Sequence, residues 1–378
     1  MGYLLVGKAP IFNYPLARHV SRRSFIANQE NFFCVLGMAL VVGLPAQAAE
    51  FKLKIGAGHP PVGLWVATIK DVYMARVTER AAAIGHKVEW TEAWGGAVCK
   101  LGECLEAVEA GLLDIADVHA PTEPAKLLAN NFTFFAPFGT SDPRVAAKAV
   151  WDVYQTTPAL KKALEDRYKQ VYIANGIVGN YGLVTNFKWT NVSELKGRKL
   201  AAIGPNIPWL QGTGAVGVQS TLNEAYTSMQ TGVYEGWVML ADPILGFKLN
   251  EVSKQYVDMD FGSQATPLLT INRDALRALP PALQKIILDS GKDYNEAMGQ
   301  VTWEKQNAAV KRLRELGVET RQADEETKRA WAKQLPNIPK QRYEEINKAK
   351  LPGEVVYVYI KALKAAGHKF PRDWEAER

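Results

Sequence analysis

Few side chains in this sequence are spaced for making or breaking bonds, and more of them suit holding a guest. No Gly-x-Ser-x-Gly segment presents a nucleophilic serine. Beyond residue 50 only His59, His86, His119 and His368 could act as a general base. Gly212-Thr213-Gly214-Ala215-Val216-Gly217 has the glycine spacing of a dinucleotide-binding turn, which keeps an exported NAD(P)-dependent oxidoreductase among the rivals. That turn needs a strand immediately before it, so that a helix amino terminus meets the pyrophosphate. Gly204 to Gln211 instead holds two prolines and reads as a loop.

Cys99 and Cys104 are five positions apart. In an oxidising compartment they can close a disulfide if Cys99 lies in a loop and Cys104 in a first helical turn. The alternative is two buried thiols. No histidine or second cysteine pair stands at zinc-ligand spacing, so neither a metal nor a cofactor is expected.

The remaining candidates are mostly aromatic. Trp65, Trp94, Tyr181, Trp209 and Trp237 suit a flat ring by stacking. Beside a carboxylate such as Asp242 or Glu92 they would suit a quaternary ammonium, at about 0.5–2 kcal/mol per ring. Core packing is the competing role for these rings. His59, in the loop Gly56 to Pro61, is the candidate loop donor to a ligand's polar groups.

Elements that would carry these residues can be read from periodicity. Phe51 to Ile55 alternates as a half-buried strand, a helix spans about Leu64 to Ala83, and a second strand covers Lys87 to Glu92. This opening implies parallel strands with a right-handed crossover. A helix from Glu103 to Ala110 is closed by Gly111 and followed by a buried strand, Leu113 to Val118. Asp142 to Leu164 reads helical, Val171 to Ile177 and Tyr181 to Asn186 read as two strands, and Asn223 as the N-cap of a helix stopped by Gly232. Pro280-Pro281 opens a helix running to about Leu316, longer than one core needs, with Gly291 and Gly299 as its weak points. Val318 to Arg321 is a last strand.

The chain has 378 residues, about right for two domains. Ser21-Arg22-Arg23-Ser24-Phe25-Ile26 resembles a twin-arginine export signal, followed by an apolar run and Pro45-Ala46-Gln47-Ala48. An ordinary secretory signal is the alternative. Cleavage near Ala48 removes Lys8, Arg18, Arg22, Arg23 and Glu30 and lowers the formal charge from +6 to +3. That balance, without a basic stripe, argues against nucleic acid.

Thr227-Ser228-Met229-Gln230-Thr231-Gly232-Val233-Tyr234-Glu235-Gly236 resembles a segment of the periplasmic solute-binding proteins of tripartite ATP-independent (TRAP) transporters, the DctP family. Leu105-Glu106-Ala107-Val108 with Asp114-Ile115-Ala116, Phe132 to Gly139, and Ser193 to Leu200 resemble three further family segments, in the same order. The resemblance implies an α/β, two-lobed periplasmic-binding-protein-like fold of type II character, each lobe a mixed sheet flanked by helices, with the long helix spanning both. It implies a signal peptide at 1–48, a first lobe of 49–173 plus about 261–298, and a second of about 174–260 plus about 299–378. The ligand cleft would lie between them. It further implies a periplasmic monomer without enzymatic activity, which passes a small-molecule ligand to the small and large permease subunits. An ABC-type or sensor-linked periplasmic binding protein shares the architecture and is the other rival. Family members usually clamp a carboxylate with arginines, and the matching positions here are Ala201 and Gly182. The aromatic residues, with His59 and Asp242, are then the expected ligand contacts.

Overall fold

Alternating residues at the start of the chain produce strand β1 (Ala49–Ala57), which buries Leu53 and Ile55 and leaves Lys52 and Lys54 outside. The structure is a computed structural model describing residues 49–376. The export signal and its cleavage point near Ala48 lie outside the described residues. Strand β2 (His86–Ala93) runs parallel to β1 on one side and β3 (Ile115–Asp117) parallel on the other. The helix joining β1 to β2 covers Leu64 to Ala83, with a wider π-helical turn at Ile69–Met74. Cys104 opens the helix before β3, and a disulfide ties it to Cys99, with Cα atoms 5.0 Å apart.

Where two strands were expected there is one. Strand β4 (Gln170–Thr185) runs unbroken for 16 residues. Asn175-Gly176 and Gly179-Asn180 look like turns, but in the folded chain they fall at irregularities of the ladder. The expected helix from Asp142 to Leu164 is corrected in the opposite sense. Asp142 caps Pro143–Thr156, accepting a hydrogen bond from Arg144 N, and Pro158 starts a separate helix that ends at Tyr168.

The other strands are β5 (Lys199–Ala202), β6 (Val216–Gln219), β7 (Gly236–Leu240), β8 (Gln255–Asp258), β9 (Ser263–Asn272) and β10 (Glu319–Gln322). All ten belong to one mixed sheet flanked by helices. One half has the order β2-β1-β3-β9-β4, with β9 antiparallel to β3 and β4. From Tyr181 onward β4 changes neighbours and pairs β7, which leads to β5 and β6. Its other edge takes β8, with β10 beyond. Strand β4 is therefore the member common to both halves.

A 35-residue helix, Pro281–Glu315, lies along β4. The register of β4 against β9 shifts between Tyr172 and Ala174, Asn175 and Ile177, and Val178 and Asn180. Such shifts leave backbone groups without ladder partners, and buried ones must be satisfied elsewhere. The helix supplies the partners. Asn295 Nδ2 donates to Asn175 O (3.1 Å), Thr302 Oγ1 donates to Ile177 O (2.8 Å), and Gln306 Oε1 accepts from Asn180 N (3.0 Å). Gly291, read as a weak point, faces β4 so closely that a Cβ there would stand 2.4 Å from Ile173 O.

The helix before β7 is Leu222–Gln230 and its N-cap is Thr221, not Asn223, which sits inside the first turn. Gly232 takes the left-handed conformation (φ 76°) that ends it. After β10, three helices close the chain at Glu325–Gln334, Ile338–Lys348 and Val355–Ala365. The last packs on Pro143–Thr156, and Trp374 Nε1 donates to Pro137 O at 3.2 Å. No helix among the described residues is long and apolar enough to cross a membrane.

Candidate functional site

Parallel strands in an α/β sheet gather ligand-binding groups just past their carboxyl ends. Here β1 and β3 are adjacent and in register, Ala57 opposite Asp117. Two residues past each strand lie His59 and His119. Their rings meet edge to face with centroids 4.6 Å apart. Trp65, in the first turn of the following helix, touches both imidazoles, at 4.8 Å from His59 and 5.6 Å from His119.

Asp117 lies beneath these rings and is 2% exposed. Neither of its carboxylate oxygens has a hydrogen-bond partner among the described residues. His119 Nδ1 is 3.9 Å from Oδ2, too far for a hydrogen bond. His59 Nδ1, His119 Nδ1, Trp65 Nε1 and the Tyr294 hydroxyl are likewise buried without a partner. Burial, with His119 close by, lowers the His59 pKa to about 4 against the opposing pull of Asp117, so this imidazole is neutral at pH 7. Four of these side chains, His59, Trp65, Asp117 and His119, thus present unused polar atoms in one protected place, which is unusual for an interior that normally pairs them.

The second half repeats the placement at the carboxyl ends of β5 and β7. Asn206, past β5, is fully buried with both amide atoms unpartnered. Asp242, past β7, has its pKa raised to about 6 by burial, while Lys305 opposes the rise. Tyr181 pairs across the sheet with Leu240, two residues before Asp242, and its hydroxyl is pushed up by burial and then by the Asp242 charge.

The structure brings His59 together with Trp65, and Tyr181 with Trp209. Trp94 stays near the first group through Gly95, whose N–H donates to His59 O at 2.9 Å, but its indole N–H is taken by Glu92 at 2.5 Å. Trp209 has no exposure and lies between Phe134 and Phe261, its indole N–H donating to Phe134 O at 2.9 Å. Trp237 is packed in the same way. It is 1% exposed and packs edge to face on Tyr234, in a core that includes Met229 and Tyr256. Asp117, His119 and Asn206 are the residues that aromatic content and motif spacing did not single out. Their signal was positional: each is a polar side chain at or just past the end of an apolar strand.

Both positions where an arginine was expected are closed to one. Ala201 is fully buried and pairs with Trp237 across β5 and β7. A Cβ on Gly182 would stand 2.4 Å from Val257 O and 2.8 Å from the Tyr256 ring. Lys100 and Lys248, which could otherwise offer a positive charge in place of those arginines, are exposed. The glycine-rich stretch at 212–217 runs into strand β6 rather than a helix, so no helix amino terminus stands there for a pyrophosphate.

A second polar cluster sits where β4 changes neighbours. Asn180 donates through Nδ2 to Asp258 and accepts from Gly262 N (2.9 Å), while Lys328 pairs with Asp260 at 2.9 Å. Burial, and then the Asp260 charge, push Asp258 up to about 7. A carboxyl with a raised folded pKa favours the folded state fully below its unfolded value, and that contribution is lost as pH rises to the folded value. Stability should therefore fall by about 2 kcal/mol between pH 5 and 8 on account of Asp258. The Asp258→Asn variant should lose this slope, as guanidinium titrations at the two pH values would show. An unchanged slope would mean that Asp258 is ionised throughout.

The chain matches the family model described as bacterial extracellular solute-binding protein, family 7, over residues 96–346. No curated protein sequence matches it. Among solved structures, a TRAP periplasmic solute-binding protein of Desulfovibrio salexigens, in an open complex, aligns with TM-score 0.73 at 17% identity, covering 83% of this chain and 96% of that one. One from Bordetella bronchiseptica with bound (R)- and (S)-mandelate aligns with TM-score 0.69 at 21% identity over 84% and 99%. One from Rhodoferax ferrireducens with copurified benzoate aligns with TM-score 0.70 at 17% identity over 84% and 98%.

Proposed function

The chain belongs to family 7 of the bacterial extracellular solute-binding proteins, and from that premise we propose that it is the periplasmic receptor of a TRAP transporter. It captures one small organic acid between two lobes and delivers it to the membrane permease, without making or breaking a bond. The observation that carries this reading is the set of buried, unpartnered polar groups at paired strand ends: His59, Trp65, Asp117 and His119 in one half and Asn206 in the other.

Capture works by differential contact. Groups from both halves reach the guest only when the halves approach, so the guest stabilises the shut arrangement by whatever those additional contacts contribute. Water excluded from the crevice strengthens each polar contact. Benzoate and mandelate, found in two structural neighbours, define the size and class to try first.

Thermal denaturation against a panel of organic acids tests the reading. A ligand at about 100 times its dissociation constant adds about 2.7 kcal/mol. For a chain this size that should raise the midpoint by roughly 4 °C. Small-angle scattering should show a more compact particle with the same compound. A panel in which nothing shifts the midpoint or the scattering would refute the receptor role.

A further inference from the structure

The unpaired charge of Asp117 has a chemical answer. We propose that His59, Asp117 and His119 form a mononuclear site for a divalent first-row transition-metal ion whose open coordination positions take the carboxylate of the captured acid. This deepens the receptor reading and rests on it. It also departs from the sequence, where no metal-ligand spacing is visible.

One ligand atom from each of the three residues lies within 4.8 Å of the other two. A tetrahedral ion with bonds of about 2.0–2.2 Å holds its donors roughly 3.3–3.6 Å apart. Rotations of the side chains that close the triangle by about 1 Å are enough. Among the described residues no lysine or arginine pairs with Asp117, and both its oxygens lack hydrogen bonds. A bare buried carboxylate costs several kcal/mol, so a cation from outside the chain is its natural partner.

The donor set selects the kind of cation. Calcium and magnesium take oxygen ligands, usually six or more for calcium. Two imidazoles and one carboxylate suit zinc, cobalt, nickel or iron(II), and three protein ligands leave a position open for an exogenous one. Both histidines keep Nδ1 buried and unpartnered, and Trp65 offers an unused indole N–H beside them for a bound oxygen. The ion also resolves a charge problem. An acid entering a crevice lined by Asp117, with Ala201 and Gly182 at the arginine positions, would be repelled. A divalent ion held by a single carboxylate reverses the sign and supplies the attraction.

The test uses the mature chain, stripped with a chelator and dialysed. Titration with Co2+ should give ligand-field absorption that saturates at one equivalent. Asp117→Asn and His119→Ala should each weaken Co2+ binding by about 100-fold or more, with unchanged far-ultraviolet circular dichroism. If Asp117→Asn misfolds, His59→Gln serves in its place. Calorimetry with benzoate and mandelate, with and without Co2+, should show binding only to the metal-loaded protein. A folded protein that gives no cobalt spectrum, or variants that bind Co2+ like the parent, would overturn the site. Equal affinity for an acid with and without the ion would overturn the bridging role and leave the receptor reading intact. Stoichiometric Co2+ without binding of any acid would uphold the metal site and count against the receptor reading.

Discussion

Placing an arginine at Gly182 or Ala201, the positions where the family resemblance implies one, is expected to unfold the protein rather than create an anion site. At Gly182 the side chain has nowhere to start. Its first carbon would overlap the Val257 carbonyl oxygen at 2.4 Å, and that oxygen belongs to the backbone of β8. Moving it breaks the ladder that joins β8 to β4. At Ala201 the neighbour across the sheet is Trp237, in a row that continues through Val184 to Tyr256. Small and large residues alternate there to fill one layer, and a guanidinium would be buried in it without an acid. Gly182→Arg should cost more than about 4 kcal/mol, and Ala201→Arg about 3–5 kcal/mol. Urea unfolding of soluble material, or loss of all soluble material, would show it. A well-folded Gly182→Arg protein that gains affinity for benzoate would mean that β8 sits elsewhere.

Gly291→Ala should destabilise by about 3 kcal/mol, although the same change in an exposed helix normally gains about 1 kcal/mol. The sign reverses because the long helix meets β4 backbone to backbone at this point. An alanine Cβ would lie 2.4 Å from Ile173 O and 2.8 Å from its Cγ2. Relief requires the helix to lift, which would stretch the hydrogen bonds from Asn295 and Thr302 to β4. Gly246, at the end of the short helix Ala241–Gly246, has nothing within 4 Å of where a Cβ would stand and supplies the control. Gly246→Ala should be neutral or slightly stabilising. If both variants melt alike, the close approach is not what holds the helix in place.

Residues with purely local causes were legible from the sequence. The alternation in β1, the helix from Leu64 to Ala83, the proline-led helix Pro281–Glu315 and the stop at Gly232 follow from neighbours within a few positions. Strand β4 was not legible as one element because its glycines and asparagines are tolerated by partners about 120 residues downstream, on the long helix. The site was only partly legible, for a similar reason. His59 could be picked out as a loop donor, but Asp117 sits inside an apolar run, and only the pairing of β1 with β3 sets it beneath His59. The burial of Trp209 and Trp237 was not legible, because an aromatic residue reads the same in the sequence whether it lines a crevice or fills a core. Asn223 and Thr221 are two positions apart and both can cap, and the choice between them is made by where the chain enters the helix.

Strand β3 is flanked on its open side by β9, a segment made about 150 residues later, and the hydroxyl of Tyr73 donates to the carbonyl of Ile287. The amino-terminal third therefore has no finished interior when it leaves the ribosome. Its apolar faces stay unclaimed until most of the polypeptide has been synthesised, so the nascent chain has to be shielded from aggregation for most of its synthesis. For the same reason a truncated product ending before the long helix at Pro281 would be a target for proteases rather than a smaller folded protein.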